Sequence, residues 1–212
     1  MYARAQSLET DPKRLLAAIR ALRLGAFVVT RDGALTAAHL PVVATETQDG
    51  LILDAHVARG NPLWRAADDG AAALAMFQGP HAYVHPGWYP SKAEDGRVVP
   101  TWSYIAVHAH GRLAAVHDGD WLARHLDAIT AEQEADQPSP WAVGDAPDGY
   151  IAGLKRGIVG LRLRVTRLEG VWKLNQHHAE ANRLGVIEGM RAGDADARRV
   201  ADAMRALEHE RS

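Results

Sequence analysis

The sequence predicts an α+β fold, mainly antiparallel β, closed or nearly closed into a barrel with helices around it. Three observations carry this. Two Asp-Gly turns, Asp32-Gly33 and Asp49-Gly50, each join short apolar stretches and so mark an antiparallel meander. Roughly seven to nine strand candidates follow with few helices between them, unlike the strand-helix alternation of a parallel sheet. The 212 residues carry no internal repeat, and closing one large sheet would remove its edges.

The elements read in order. Asp11 is an N-cap, Pro12 fits the first helical position, and Leu15, Leu16, Ile19 and Leu22 form one apolar stripe, so a helix runs from 11 to 23 with Gly25 as its stop. Strands are expected over 26–30, 34–44 and 51–57. Asn61-Pro62 opens a short helix from Trp64 to Asp69. Strands 71–78 and 82–85 come next. From Pro86 to Pro100 three prolines and two glycines make a loop, and loops that long inside a domain are usually functional or disordered. Its flanking Trp88, Tyr89 and Trp102 argue for order. Residues 102–109 and 112–117 read as a hairpin about Gly111, followed by a helix over 118–134, a Pro-rich connection and a short helix over 148–155. A strand over 158–168 alternates Leu161, Leu163 and Val165 against Arg162, Arg164 and Thr166, and Gly170 turns into Trp172-Lys173-Leu174. The remainder, from 179, is helical.

Composition excludes several classes. Twenty-four Lys and Arg against 26 Asp and Glu give a formal charge of −2, so no basic field holds a polyanion by counterion release. Zero cysteines exclude disulfides, thiolate zinc and a Cys nucleophile, and fit a reducing compartment. No stretch approaches the ~20 apolar residues that span a bilayer, and the acidic and basic N-terminus does not read as a signal peptide. A cytoplasmic protein without membrane contact is expected. There is no dinucleotide glycine pattern, P-loop, His-Glu-x-x-His, Gly-x-Ser-x-Gly or EF-hand loop.

Three clusters carry candidate chemistry. Around His56, Arg59 precedes Asn61-Pro62 at a strand end beside a fresh helix N-terminus, which suits an oxyanion; Arg59 could equally pair with a surface acid while Asn61 only caps. From His85 to Tyr104, rings stand beside Ser91, Lys92 and Thr101, a set for a ligand with a flat ring and an anionic tail, or for a loop pinned by aromatic packing. The third, Trp172 to His178, places Lys173 and amide side chains after a turn. His108 and His110 have the spacing that puts two imidazoles on one strand face, but no acid follows until Asp118, so structural histidines are expected and no metal.

Six ordered strings resemble the FMN-binding negative transcriptional regulator family, also called the PaiB family: His-Val-Ala-Arg-x-Asn-Pro-x-Trp at 56–64, Phe-Gln-Gly-Pro-His-Ala-Tyr-Val at 77–84, Trp-Tyr-Pro-Ser-Lys at 88–92, Val-Pro-Thr-Trp-x-Tyr at 99–104, Val-His-Ala-His-Gly at 107–111 and Trp-Lys-Leu-x-Gln at 172–176. The pattern departs from the family at Ser103 and at His177-His178. The resemblance runs from about residue 1 to 190 and implies an FMN-binding split β-barrel with flanking helices, as a homodimer, leaving 191–212 as a C-terminal helical extension. It further implies non-covalent FMN, with Arg59, Ser91, Lys92 and Thr101 expected at the phosphate and Trp102, Tyr104, Lys173 and Gln176 at the ring system. His56 and Tyr89 are further candidates. A flavin-binding regulator with redox activity is the expected function. An FMN-dependent oxidoreductase or flavin reductase would use the same pocket, and a haem-binding or haem-degrading protein is the third class, since related split barrels handle haem. Direct DNA binding finds no reading element in this chain. The aromatic bias agrees with a ring-lined site: residues 81–110 hold two of the six Trp, three of the five Tyr and four of the eleven His.

Overall fold

The protein is described by a computed structural model over residues 1–68 and 70–211. The expected end of the second helix at Asp69 lies outside those residues. The fold is α+β and mainly antiparallel, as expected. Among the described residues eight strands form one sheet: β1 (Leu8–Glu9), β2 (Leu24–Arg31), β3 (Ala34–Pro41), β4 (Val43–Thr47), β5 (Gly50–Ala58), β6 (Ala71–Val84), β7 (Thr101–Val116) and β8 (Ile158–Lys173). Their order is β3-β2-β6-β7-β8-β5-β4, with β1 on β8. The helices are α1 (Pro12–Leu22), α2 (Leu63–Ala67), α3 (Gly119–Glu134), α4 (Tyr150–Lys155), α5 (Glu180–Arg191) and α6 (Ala195–Arg211). Among the described residues no helix is long and apolar enough to cross a membrane.

The residues cluster into two compact units, one of 16–77 and 108–168, the other of 1–15, 78–107 and 169–212. In the first, both expected hairpins form, the second turning at Gln48-Asp49 with Gly50 already in β5. Arg31 pairs with Ala34 across Asp32 and Gly33, whose φ values of 51° and 77° match the turn whose two central residues are left-handed. Thr47 pairs with Gly50 in the second hairpin. β5 and β8 then align Leu53 with Leu163, Ala55 with Leu161 and Val57 with Val159, all buried, so their alternation places one face of the pair in the core. In the second unit, Val84, Tyr89, Ile105 and Leu174 pack with Val186, Ile187 and Met190 of α5 and Val200, Ala201 and Met204 of α6.

Four glycines do other work than expected. α1 ends at Arg23, whose φ is 59° and whose carbonyl accepts from the Val42 N–H at 2.9 Å. Gly25 belongs instead to β2, where a Cβ would lie 2.8 Å from the Phe77 ring. Gly79, Gly111 and Gly170 sit inside the continuous strands β6, β7 and β8, so the expected strand breaks and the hairpin about Gly111 are absent. Added Cβ atoms would meet the Ile105 backbone and side chain at 3.1 Å, the Arg164 carbonyl oxygen at 2.1 Å and the Leu15 side chain at 2.2 Å, respectively. At Gly111 the contact is with main chain and glycine is required; at Gly170 a side chain would have to move, and at Gly79 the fit is merely tight, and in sequence all three look identical to a turn signal.

Candidate functional site

The second unit contains a cavity of about 440 Å³, inside the range of small-molecule sites. Its walls are rings and its polar groups are cationic or hydroxylic. Tyr89, Tyr104 and His178 supply flat surfaces, while Lys173, Arg4 and Arg97 supply charge. At its heart the Lys173 ammonium donates to Thr101 Oγ1 at 2.8 Å and lies 5.9 Å from the Tyr104 ring centre. Both side chains come from strand ends, Thr101 opening β7 and Lys173 closing β8. Main-chain pairing thus sets their positions.

A buried chain of polar groups stiffens the wall. The Tyr89 hydroxyl donates to Asn175 Oδ1, and Asn175 Nδ2 donates to the hydroxyl of Ser103, which is 0 % exposed; both distances are 3.4 Å. Asn175 holds φ at 60°, a conformation Asn tolerates better than most side chains. His178 lies 4.7 Å from the Tyr89 ring and 4.1 Å from His177. Burial raises the Tyr89 pKa, so the phenol keeps its proton. Burial, and then the Arg4 charge, lowers the Lys173 pKa. His177 is lowered by burial, Arg4 and Lys173, and His178 by burial, His177 and Arg4. A cavity whose cations push on one another is one that an anion would relieve.

The loop over 86–100 is ordered by α5. Gly185 and Gly189 lie one turn apart on that helix and make room for Trp88: Cβ atoms there would fall 2.2 Å from the Trp88 carbonyl oxygen and 2.3 Å from its indole. The Asn182 side chain, one turn earlier, closes on Ser91, accepting from its N–H at 3.2 Å and donating to its hydroxyl at 2.9 Å.

Of the residues singled out from sequence, Tyr89, Thr101, Tyr104 and Lys173 line this one cavity. Ser91 is occupied with Asn182, and Lys92 is exposed on a 3-10 turn. Trp102 is half-exposed and packs with His81 and Tyr83, at ring separations of 5.8 and 6.3 Å. Gln176 folds onto its own turn, accepting from the Leu174 N–H at 2.8 Å and donating to the Trp172 carbonyl. Arg59 and His56 belong to the other unit. There the Arg59 guanidinium donates to the carbonyls of Arg156 and Ile158 at 3.0 and 3.2 Å. Sequence reasoning missed Arg4, Arg97 and Val171 as wall residues. Arg97 could have been suspected from its place in the long loop, whereas nothing local marks Arg4.

His56 stands in a separate polar cluster. Its Nδ1 is 3.0 Å from Nε2 of His125 on α3, and the His125 ring stacks on Trp121 at 5.0 Å and 8°. Gly160 admits that indole, since a Cβ would fall 2.2 Å from it. The Arg162 guanidinium lies 5.5 Å from the Trp121 ring centre and binds Asp54 through two hydrogen bonds of 2.8 Å. His125 is 5 % exposed, and its pKa falls from 6.5 to about 4, chiefly through burial, then through His56. The unfolded chain therefore binds a proton below 6.5 that the folded chain refuses down to about 4. The stability contributed by neutral His125 is complete above 6.5 and is lost as pH falls towards about 4, by up to roughly 3 kcal/mol. Urea melts across that interval should show a shallower acid slope for His125→Phe than for the wild type; equal slopes would remove His125 as the cause.

Comparison with known proteins bears on this geometry. A family model described as "Putative FMN-binding domain" matches residues 1–167. The chain is 32 % identical over 181 residues to "Protease synthase and sporulation protein PAI 2" of Bacillus subtilis, covering 85 % of this chain and 84 % of that protein. It is 31 % identical over 233 residues to an uncharacterised protein of Emericella nidulans, covering 93 % of both. Among solved structures, the FAD and haem binding protein of Mycobacterium smegmatis superposes with a TM-score of 0.59 at 16 % identity, covering 84 % of this chain and 78 % of that one. A conserved hypothetical protein of Mycobacterium tuberculosis superposes with a TM-score of 0.60 at 9 % identity, covering 85 % and 95 %. The fold is the expected split-barrel one, shared with both of these structures.

Proposed function

Because the chain belongs to the FMN-binding domain family, the PaiB family recognised in its motifs, we propose that the cavity around Lys173 holds FMN and that the protein is a flavin-binding regulator with a redox-competent flavin, working as a homodimer. The observation that carries this is the Lys173–Thr101 pair, 2.8 Å apart in a cavity that Tyr89 and Tyr104 also line. The donor set fits the cofactor. Lys173 would donate to the electron-rich edge of the ring system, Tyr89 and Tyr104 would flank a flat body, and the guanidinium groups of Arg4 and Arg97 match a phosphate. Bound FMN supplies hydride and electron transfer. The chain's own part is to keep a cation at the ring edge and to hold the wall rigid through Tyr89, Asn175 and Ser103. The regulatory half of the reading is supported by the name of the Bacillus relative, which carries the words protease synthase and sporulation. A net charge of −2 lends no support to direct DNA contact.

Titrating FMN with the purified protein tests the proposal. Flavin fluorescence should be quenched and the visible band should shift, with riboflavin binding far more weakly because it lacks the phosphate. Flavin that stays fully fluorescent in excess protein overturns the assignment. FMN-dependent oxidation of a reduced nicotinamide at catalytic rates would favour the oxidoreductase over the regulator.

A further inference from the structure

The first unit contains a second cavity, of about 390 Å³, whose chemistry differs from that of the ring-walled one. It is built from the end of α3, the Pro-rich connection after it, α4 and the start of β8. The connection is tied down because the Trp141 N–H donates to the Glu134 carboxylate at 3.0 Å. That contact returns the chain to the last turn of α3 and sets Trp141 on the cavity. Leu126, Ile151, Leu154 and Ile158 make most of the wall apolar. Two groups stand out from it: the Lys155 ammonium, which makes no ion pair among the described residues, and the imidazole of His56.

The protonation of His56 follows from its neighbour. His125 Nδ1 is buried with no hydrogen-bond partner among the described residues. An orphaned buried N–H is rarer in proteins than an under-satisfied acceptor, so Nδ1 is the bare nitrogen and Nε2 carries the proton. His125 Nε2–H then donates to His56 Nδ1, 3.0 Å away, which leaves His56 with its own proton on Nε2. The cavity therefore presents a neutral N–H donor and a cation against an apolar wall. Both accept nothing, so the complementary ligand has an acceptor-only, negatively charged head on an apolar body. A small inorganic anion would leave the wall unused, and a neutral apolar molecule would leave both donors unmatched.

We propose that this cavity is a binding site for a small aromatic monocarboxylate, its carboxylate taken by Lys155 and His56 and its ring lying against Trp141. The site is independent of the flavin cavity and uses none of its residues. Calorimetric titration of FMN-saturated protein with indole-3-acetate and its neutral amide tests it. The acid should bind about tenfold or more tightly than the amide. Lys155→Met should abolish that difference, and Leu154→Trp, at a position on α4 that is 52 % exposed, should fill the cavity and abolish binding of both. FMN affinity should be unchanged in both variants, which shows that they fold. Equal affinity for acid and amide in the wild type, binding that survives Leu154→Trp, competition with FMN, or no heat at millimolar ligand would each overturn the proposal.

Discussion

Replacing Lys173 by methionine is expected to weaken FMN binding by about tenfold to a hundredfold, the loss of one charge-assisted hydrogen bond in a partly desolvated site. Methionine keeps the length of the side chain and can still rest against Tyr104. It removes the ammonium that donates to Thr101 Oγ1 at 2.8 Å. A second measurement, made without flavin, separates the electrostatics from the cofactor assignment. The Lys173 charge is one of the causes holding the His177 pKa below 6.5, so the variant should move that imidazole upwards in an NMR titration. If His177 moves while FMN affinity stays within about twofold, the cavity is as described and the flavin is held elsewhere.

Gly111→Ala should cost more than about 3 kcal/mol, because a Cβ 2.1 Å from the Arg164 carbonyl oxygen meets main chain that cannot rotate away. β7 and β8, neighbours in the sheet, would have to separate locally and lose ladder hydrogen bonds. Gly33→Ala provides the contrast. That residue has φ 77° but open space around it, so the cost should stay near the ~1–2 kcal/mol of placing an L-residue in a left-handed conformation. Denaturant unfolding of both variants checks the ranking; a Gly111→Ala protein within about 1 kcal/mol of wild type would show that the strands yield there.

These two glycines also show which parts of the fold were legible in the sequence. Asp32-Gly33 is legible because a two-residue turn is decided by its own residues; at the second hairpin the same signal marks the place but lies one residue late, since Gln48 and Asp49 make the turn and Gly50 already pairs with Thr47. Gly111 and Gly170 suggest breaks in sequence because a glycine at a distant close approach leaves the same mark as one needed for a turn. The site divides in the same way. Tyr89, Thr101, Tyr104 and Lys173 announced themselves as rings and polar groups packed into short strings. Arg4 did not, since it lies 169 positions before Lys173 and enters the cavity only through folding. The Trp88 seat on Gly185 and Gly189 was equally hidden, as its two halves are separated by most of the second half of the chain. The string around Ser91 likewise cannot reveal its two hydrogen bonds with Asn182.

The far half of β8 has a consequence for how members of the family should be compared. The matched family model stops at residue 167, yet Val171, Lys173, His177 and His178 of the ring-walled cavity lie beyond it. So do the glycines of α5 that seat Trp88. A fragment cut at the end of the matched segment would keep Tyr89, Thr101 and Tyr104 but lose the ammonium that donates to Thr101. Homologues aligned only over that segment can therefore share most of their sheet and still differ in cofactor affinity. The residues after 167 are the ones to align before a ligand is transferred from one member to another.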